Sequence, residues 1–342
     1  MSEHETGRST VMNLIGAHID GRYVLESLLG EGGMGAVYRA TDLETQGAVA
    51  IKVLLEELED QPDIRERFER EARALFGLSH PNILAVHDFG LVDGRPYLVM
   101  DLLEGGTLDA LVEESPVSLA DARPLFRDLL EGLAFAHAQG AVHRDLKSEN
   151  VHVGTKENPK VIILDFGLVK FTDDERWGSG HKLTMMGSVF GTPAYMSPEQ
   201  CTGAQTDARS DVYAAGVILF EMLTGEWPFM KETRLEMFKA QLMETPPNVS
   251  DYLDQPAPGL DEYIARCLEK LPSKRFADAG EMLAALPDGT ALPAAPPMEM
   301  AVEAPAPSPG PAPATHMRKW LIAGAAALIV LVLAVIAFVL IR

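Results

Sequence analysis

Three patterns of apolar and polar residues divide this chain. From Leu321 to Ile341 no charged residue interrupts an apolar run whose one small break is Gly324. A helix of that length, at about 1.5 Å per residue, spans roughly 30 Å, the thickness of a bilayer's hydrocarbon core. A helix buried in a globule would be apolar on one face only, so the run predicts a membrane-crossing helix over 321–341. From Pro287 to Pro313 the chain is dominated by Pro and Ala without a period. That composition cannot bury a core and predicts an extended tether over 287–317. About thirty residues at roughly 3.1 Å each would reach on the order of 90 Å.

The remainder, from about Tyr23 to Leu286, has the mixed patterning of a folded unit. Val37-Tyr38-Arg39-Ala40 and Val49-Ala50-Ile51-Lys52 read as strands joined through a polar turn around Thr45 to Gly47. Pro62 to Leu78 is rich in Glu, Arg, Leu and Phe with no glycine before Gly77, which predicts an amphipathic helix. Tyr97-Leu98-Val99-Met100 is a short apolar strand ending at Asp101 and broken by Glu104-Gly105-Gly106. Asp211 opens a helix predicted from Val212 to Leu223. Residues 1–22 contain no signal-like apolar stretch and read as a flexible lead-in.

Chemistry concentrates at three places in the folded unit. His143-Arg144-Asp145-Leu146-Lys147-Ser148-Glu149-Asn150 is followed by Asp165-Phe166-Gly167. Phosphoryl transfer needs a positioned nucleophile, neutralised phosphate oxygens and a metal ion, and charged side chains at fixed offsets supply all of these. Asp145 with Lys147 two residues on, Asn150 five on and a second acid at Asp165 has those offsets. Upstream, Leu29-Gly30-Glu31-Gly32-Gly33-Met34-Gly35-Ala36-Val37 carries glycines that free the backbone to approach phosphates and to adopt positive φ. Such a run alone also suits a dinucleotide-binding fold or an ordinary turn. Here it joins two strands, whereas a dinucleotide fingerprint opens a helix.

Taken in this order, the motifs resemble a serine/threonine protein kinase over about residues 23–286. The resemblance implies an α+β, bilobal protein kinase fold: a small lobe of mainly antiparallel sheet (about 23–100) and a larger, mainly helical lobe (about 104–286). ATP and Mg²⁺, or Mn²⁺, would be its cofactors, and Ser/Thr hydroxyls of protein substrates its acceptors. Asp145 would orient the acceptor hydroxyl and take its proton, and Lys147 would stabilise the transferring group. Asn150 and Asp165 would hold the metal. Lys52 would hold the α and β phosphates, aimed by Glu71, chosen over Glu66 and Glu69 because Arg70-Glu71-Ala72 fits the family's register; Leu75 would pack inward toward Phe166 and His143. Gly30, Gly32, Gly33 and Gly35 would cover the phosphates, and Leu29, Val37 and Ala50 the base. Met100 would guard the back of the pocket, the Asp101 carbonyl and the Leu103 backbone would contact the adenine edge, and His152 would form the floor.

The resemblance also implies a buried pair between Glu199, in Gly191 to Glu199, and Arg275. It implies a hydrogen bond from Asp211 to the catalytic loop, and a contact of Thr192 with Asp145 and Lys147. Arg144 would pair with a phosphate on the segment after Asp165, with Thr184 and then Ser188 the favoured acceptors ahead of Thr172 and Ser179. Autophosphorylation in trans would use a homodimer. Two residues depart from the family's usual text. Ser148 replaces a proline, which would loosen the loop's backbone. His152 replaces an aliphatic residue; it could stack on the base or lower nucleotide affinity.

The net charge of −21 argues against nucleic acid or anionic lipid as a ligand of the folded unit. Two distant cysteines, Cys201 and Cys267, predict no disulfide, and nine scattered histidines no metal cluster. Arg318 and Lys319 flank the apolar run on its amino-terminal side, with Trp320 at the interface. The positive-inside tendency then leaves the catalytic unit in the cytoplasm and the C-terminus, Arg342, on the far side of a single-pass membrane segment, with no external domain. The local wording is similar to the membrane-anchored eukaryotic-like kinases of bacteria. Two other readings stay open: a catalytically weak pseudokinase serving as an ATP-binding membrane scaffold, and a small-molecule phosphotransferase of kinase-like fold. The acids at 145 and 165 speak against the first, and the Gly191 to Glu199 segment against the second.

Overall fold

The computed structural model of the protein describes residues 14–32, 35–55, 76–92, 94–165 and 192–287. The first lobe is a six-stranded sheet of β1 (His18–Ile19), β2 (Tyr23–Glu31), β3 (Gly35–Asp42), β4 (Ala48–Leu54), β5 (Val86–Val92) and β6 (Arg95–Asp101). Its order is β1-β2-β3-β4-β6-β5, with every neighbouring pair antiparallel. The period-two alternation of strands divides the lobe. Tyr38 and Ala40 of β3, Ile51 and Val53 of β4, and Tyr97 and Val99 of β6 turn to one face and form its core with Ile19, Tyr23 and Leu25. Val37, Ala50 and Met100 turn to the other face and join Leu84, Leu102, Leu103, Ile162 and Leu164. The predicted strands are therefore present but longer at both ends.

The lead-in is shorter than its polarity suggests. Ile19 is buried, β1 pairs with β2, and Asp20 accepts a hydrogen bond from the Tyr97 hydroxyl. Arg22 binds Asp42 through two contacts of 3.0 and 2.8 Å. Leu14 to Arg22 thus belong to the sheet lobe and not to a flexible segment. Two apolar residues, Leu14 and Ile19, carry this strap, and a short polar stretch hides them from periodicity arguments.

The second lobe is mainly helical. A three-stranded sheet of β7 (Gly106–Thr107), β8 (Val151–Val153) and β9 (Val161–Ile163) lies at its edge. The helices are α1 (Leu108–Glu114), α2 (Leu119–Ala138), α3 (Pro198–Thr202), α4 (Ala208–Thr224), α5 (Arg234–Met243), α6 (Pro258–Cys267) and α7 (Ala279–Ala284). In α2, Leu125, Phe126, Leu129, Leu130 and Leu133 form a stripe at helical spacing toward the core, after a Ser118 N-cap. By contrast, α4 is buried all round from Ser210 to Leu223 and is the lobe's central element. It starts at Ala208, capped by Asp207, and stops at Gly225 with φ 76°. Asp211 accordingly sits in its first turn instead of preceding it. A Cβ at Gly216 would lie 2.5 Å from Cys267 Cβ, so only glycine lets α6 approach this closely.

Cys201 and Cys267 are both free thiols. Of the helix expected over 62–78, only 76–78 lie among the described residues: Phe76 is helical, Gly77 turns the chain and Leu78 is past the helix end. Among the described residues no helix is long and apolar enough to cross a membrane. The run Leu321–Ile341 and the tether beyond Pro287 lie outside them.

Candidate functional site

Asp211 organises the loop that carries the candidate acid. Its carboxylate accepts the backbone N–H groups of His143 (2.7 Å) and Arg144 (2.8 Å), and His137 Nε2 donates to it at 2.9 Å. Burial opposes the charge, but these donors hold the carboxyl below its ordinary range. They also hold Arg144 in the left-handed region at φ 64°, an arrangement costing on the order of 1–3 kcal/mol that needs such anchoring. The Arg144 carbonyl accepts from Gln200 Nε2 at 2.6 Å. Arg144 Nε and Nη1 are buried without a hydrogen-bond partner among the described residues, and burial lowers the guanidinium's pKa.

Beyond Asp145 the loop closes on itself. Asn150 Nδ2 donates to the Asp145 carbonyl at 2.8 Å, and Asn150 N–H to the Lys147 carbonyl at 3.0 Å. The Asn150 carbonyl in turn accepts from Leu164 N–H at 2.9 Å, while His143 Nε2 donates to the Leu164 carbonyl at 3.0 Å. These bonds fix Leu164 against the loop and bring Asp165 beside it with φ 38°. Lys52, on β4 between β3 and β6, donates to Asp165 Oδ1 at 3.1 Å. Residues 113 positions apart in the chain thus meet in one ion pair.

A cavity of about 240 Å³ opens at this point. Leu29, Val37, Ala50, Lys52, Met100, Asp101, Leu103, His152 and Asp165 line it, together with Leu84, Leu102 and Leu164. Its walls are mostly apolar and its one end ionic, as a site for a flat base with a phosphate tail requires. His152 Nε2 donates to the Glu104 carbonyl at 3.0 Å, which fixes the proton on that nitrogen and buries the ring at the floor. Gly30, Gly32 and Gly35 edge the hairpin above it, and Gly33 lies outside the described residues. The three described glycines do not adopt positive φ, contrary to expectation. What Gly35 supplies is space, since a Cβ there would sit 2.6 Å from the Val53 carbonyl oxygen.

The second cavity, about 300 Å³, is lined by Arg144, Asp145, Lys147, Thr192, Tyr195, Met196 and Gln200 among others. Thr192 does not bond Asp145 or Lys147; its hydroxyl donates to Glu149 Oε1 at 3.4 Å. Lys147 Nζ stands 4.0 Å from the same carboxylate. Glu199 and Arg275 form the expected buried pair. Ser148 overturns its expectation: it is 1 % exposed and hydrogen-bonded to Tyr195 and Glu221, so the loop is tied down and not loosened. Glu71, Leu75, Phe166, Gly167, Thr172, Ser179, Thr184 and Ser188 lie outside the described residues.

Residues 23–285 match the protein kinase domain family. The chain belongs to that family. The chain is 39% identical over 271 residues to the serine/threonine-protein kinase pkn3 of Myxococcus xanthus, covering 78% of this chain and 49% of that protein. It is 36% identical over 293 residues to PknL of Mycobacterium tuberculosis (84% and 70% covered) and 35% identical over 350 residues to PknB of Mycolicibacterium smegmatis (94% and 55% covered). Both are named serine/threonine-protein kinases. The chain thus spans about half the length of two of these three relatives. The crystal structure of the Mycobacterium tuberculosis PknI kinase domain superposes with a TM-score of 0.60 at 26% identity, covering 79% of this chain and 96% of that one. The bilobal kinase fold follows from both comparisons.

Several contributors to the candidate site carry little signal in the sequence. Leu84 and Leu164 line the first cavity, and Leu164 could have been suspected from its place beside Asp165. Gln200, Glu221 and Trp227 carry no motif signal, because their roles arise from contacts across long separations.

Proposed function

We propose that the chain is an ATP-dependent serine/threonine protein kinase that transfers the γ-phosphate of ATP to Ser or Thr hydroxyls of protein substrates. The observation that carries this reading is the convergence of Lys52, Asp165, Asn150 and Asp145 around one loop next to an apolar cavity. The donor set suits a hard cation. Asn150 spends its Nδ2 on the Asp145 carbonyl, which turns Oδ1 away as a free oxygen donor, and Asp165 brings carboxylate oxygens. Among the described residues no three His, Cys, Asp or Glu side chains gather to hold a metal unaided, so such an ion would rely on phosphate oxygens for further ligands.

When bound, ATP supplies the transferable phosphoryl group and Mg²⁺, or Mn²⁺, neutralises its oxygens. In this reading Asp145 orients the acceptor hydroxyl and takes its proton, and Lys147 faces the transferring group from two residues on. Lys52 holds phosphate oxygens from β4, with Glu71 aiming it; Gly30, Gly32, Gly33 and Gly35 cover them. Leu29, Val37, Ala50, Met100 and His152 enclose the base, and the backbone at Asp101 and Leu103 reads its edge. The buried nitrogens of Arg144, unpartnered among the described residues, support control by a phosphate on the segment after Asp165, at Thr184 first and Ser188 next; a homodimer would place it in trans. The apolar run 321–341, with Arg318 and Lys319 before it, supports a single membrane helix that keeps the kinase domain on the cytoplasmic face and sends the C-terminus across.

The test is direct: the full chain with labelled ATP, Mg²⁺ and a generic basic protein should label serine and threonine, and peptide mass spectrometry should find phosphate between residues 166 and 191. No label in protein under any cation condition would refute the reading.

A further inference from the structure

Three buried side chains, Ser148, Tyr195 and Glu221, and the partly buried Trp227 meet in the helical lobe, with Tyr195 also lining the second cavity. Tyr195 donates its hydroxyl to Glu221, whose two oxygens both lie 2.8 Å away. Trp227 Nε1 stands 3.0 Å from the Tyr195 oxygen and 3.1 Å from Glu221 Oε1. Ser148 Oγ lies 2.7 Å from the Tyr195 oxygen and 3.3 Å from Glu221 Oε1. The proton count closes. With Glu221 ionised, the indole can only donate and the carboxylate can only accept, so both hydroxyls are oriented toward Glu221 and each other with no donor left over. Glu221 belongs to α4, the most deeply buried helix of the lobe, and therefore acts as a fixed post.

What this post joins matters. Ser148 follows Lys147 directly and heads the 3-10 turn Ser148–Asn150. Tyr195 ends the turn Pro193–Tyr195, in the segment that leads to the capped helix α3. Glu149, next to Ser148, receives a second bond from that segment through Thr192. Two consecutive loop residues thus grip the stretch Thr192–Tyr195, one through a largely buried network and one through a weaker, half-exposed contact.

We propose that Ser148 is a positioning residue, which through Tyr195 and Glu221 sets the catalytic loop against the segment on which a protein substrate lies. The inference rests on the kinase reading and deepens it. A loop that slips relative to that segment still meets nucleotide through Asn150 and Asp165, but it presents Asp145 to a displaced hydroxyl. Small misplacements of this kind are costly in turnover of the acceptor and silent in nucleotide binding. The site also admits a clean deletion. Lys147, with φ −160° and ψ 164°, is extended, and position 148 opens a turn, so proline is tolerated there as well as alanine.

The experiment compares the full chain with Ser148→Ala and Ser148→Pro, using myelin basic protein as acceptor and Mg²⁺·ATP. Both variants should lose about tenfold in kcat/KM for the acceptor while KM for ATP stays within about twofold. Amide hydrogen exchange should quicken in residues 192–197 of each. An acceptor kcat/KM equal to that of the unaltered chain, or an equal loss toward ATP, overturns the role. Exchange unchanged in 192–197 overturns the tie whatever the activity. An unaltered chain that transfers no phosphate refutes the kinase reading instead, a separate failure because the exchange measurement needs no turnover.

Discussion

Arg275 grips Glu199 through two parallel contacts of 2.8 Å, with both side chains buried. The rest of the guanidinium is spent on the carbonyls of Glu269, Arg209 and Lys270, and Ser210 donates to the same carboxylate. Burial alone would raise the Glu199 pKa, but Arg275 holds it below the ordinary range. Every donor of this pair has an acceptor, the condition under which a buried ion pair is sustained.

Arg275→Met should therefore leave a buried, unpaired carboxylate between α3 and α4. The expected loss is about 3–5 kcal/mol of unfolding free energy, read from urea titrations at neutral pH. A loss below about 1 kcal/mol would mean that water reaches Glu199 in solution.

Asp145→Asn should abolish phosphoryl transfer, by at least about a hundredfold, because an amide cannot take the acceptor's proton. The loop itself should persist, since the bond from Asn150 goes to the backbone carbonyl of residue 145 and not to its side chain. Thermal unfolding should shift little. Full activity of the purified variant would refute the role given to Asp145.

Stability should depend on pH through Glu221. Burial, opposed by its three hydrogen-bond donors, pushes this carboxyl up to about 7 from an ordinary 4.5. A group that binds its proton more tightly when folded contributes fully below the unfolded pKa and loses that contribution as pH rises through the folded one. Between about pH 4.5 and 7 the native chain should thus lose on the order of 3 kcal/mol from this group. Glu221→Gln, always neutral, should flatten that slope. Parallel unfolding profiles of the two proteins from pH 5 to 8 would show that Glu221 titrates normally.

The full chain should co-sediment with phospholipid vesicles and remain with them in high salt, as expected when apolar burial and not charge holds it. Deleting residues 318–342 should release it. Equal sedimentation of the two would remove the membrane helix from the account.

How legible all this was in the sequence depended on the range of the interactions. Glycine run, catalytic loop and Asp165 are local texts, and their chemistry dictates their spacing, so they could be read before any contact was known. The Glu199–Arg275 pair and the Asp211 anchor were accessible because the family's pattern connects distant positions. Ser148 was misjudged because a residue change was weighed by its backbone effect alone. Its partners, Tyr195 and Glu221, lie 47 and 73 positions away, and nothing in the text near 148 points to them. The strap at Leu14–Arg22 failed for the opposite reason: its apolar residues are too few to form a period, yet one of them, Ile19, is almost wholly buried.

That strap determines where the catalytic unit can be cut. A shortened chain starting at Tyr23, where the family match begins, would strip Ile19 from the sheet and leave the Tyr97 hydroxyl without Asp20. Crystallisation or labelling work on the isolated domain is better served by a start ahead of Leu14, with any affinity handle placed before it.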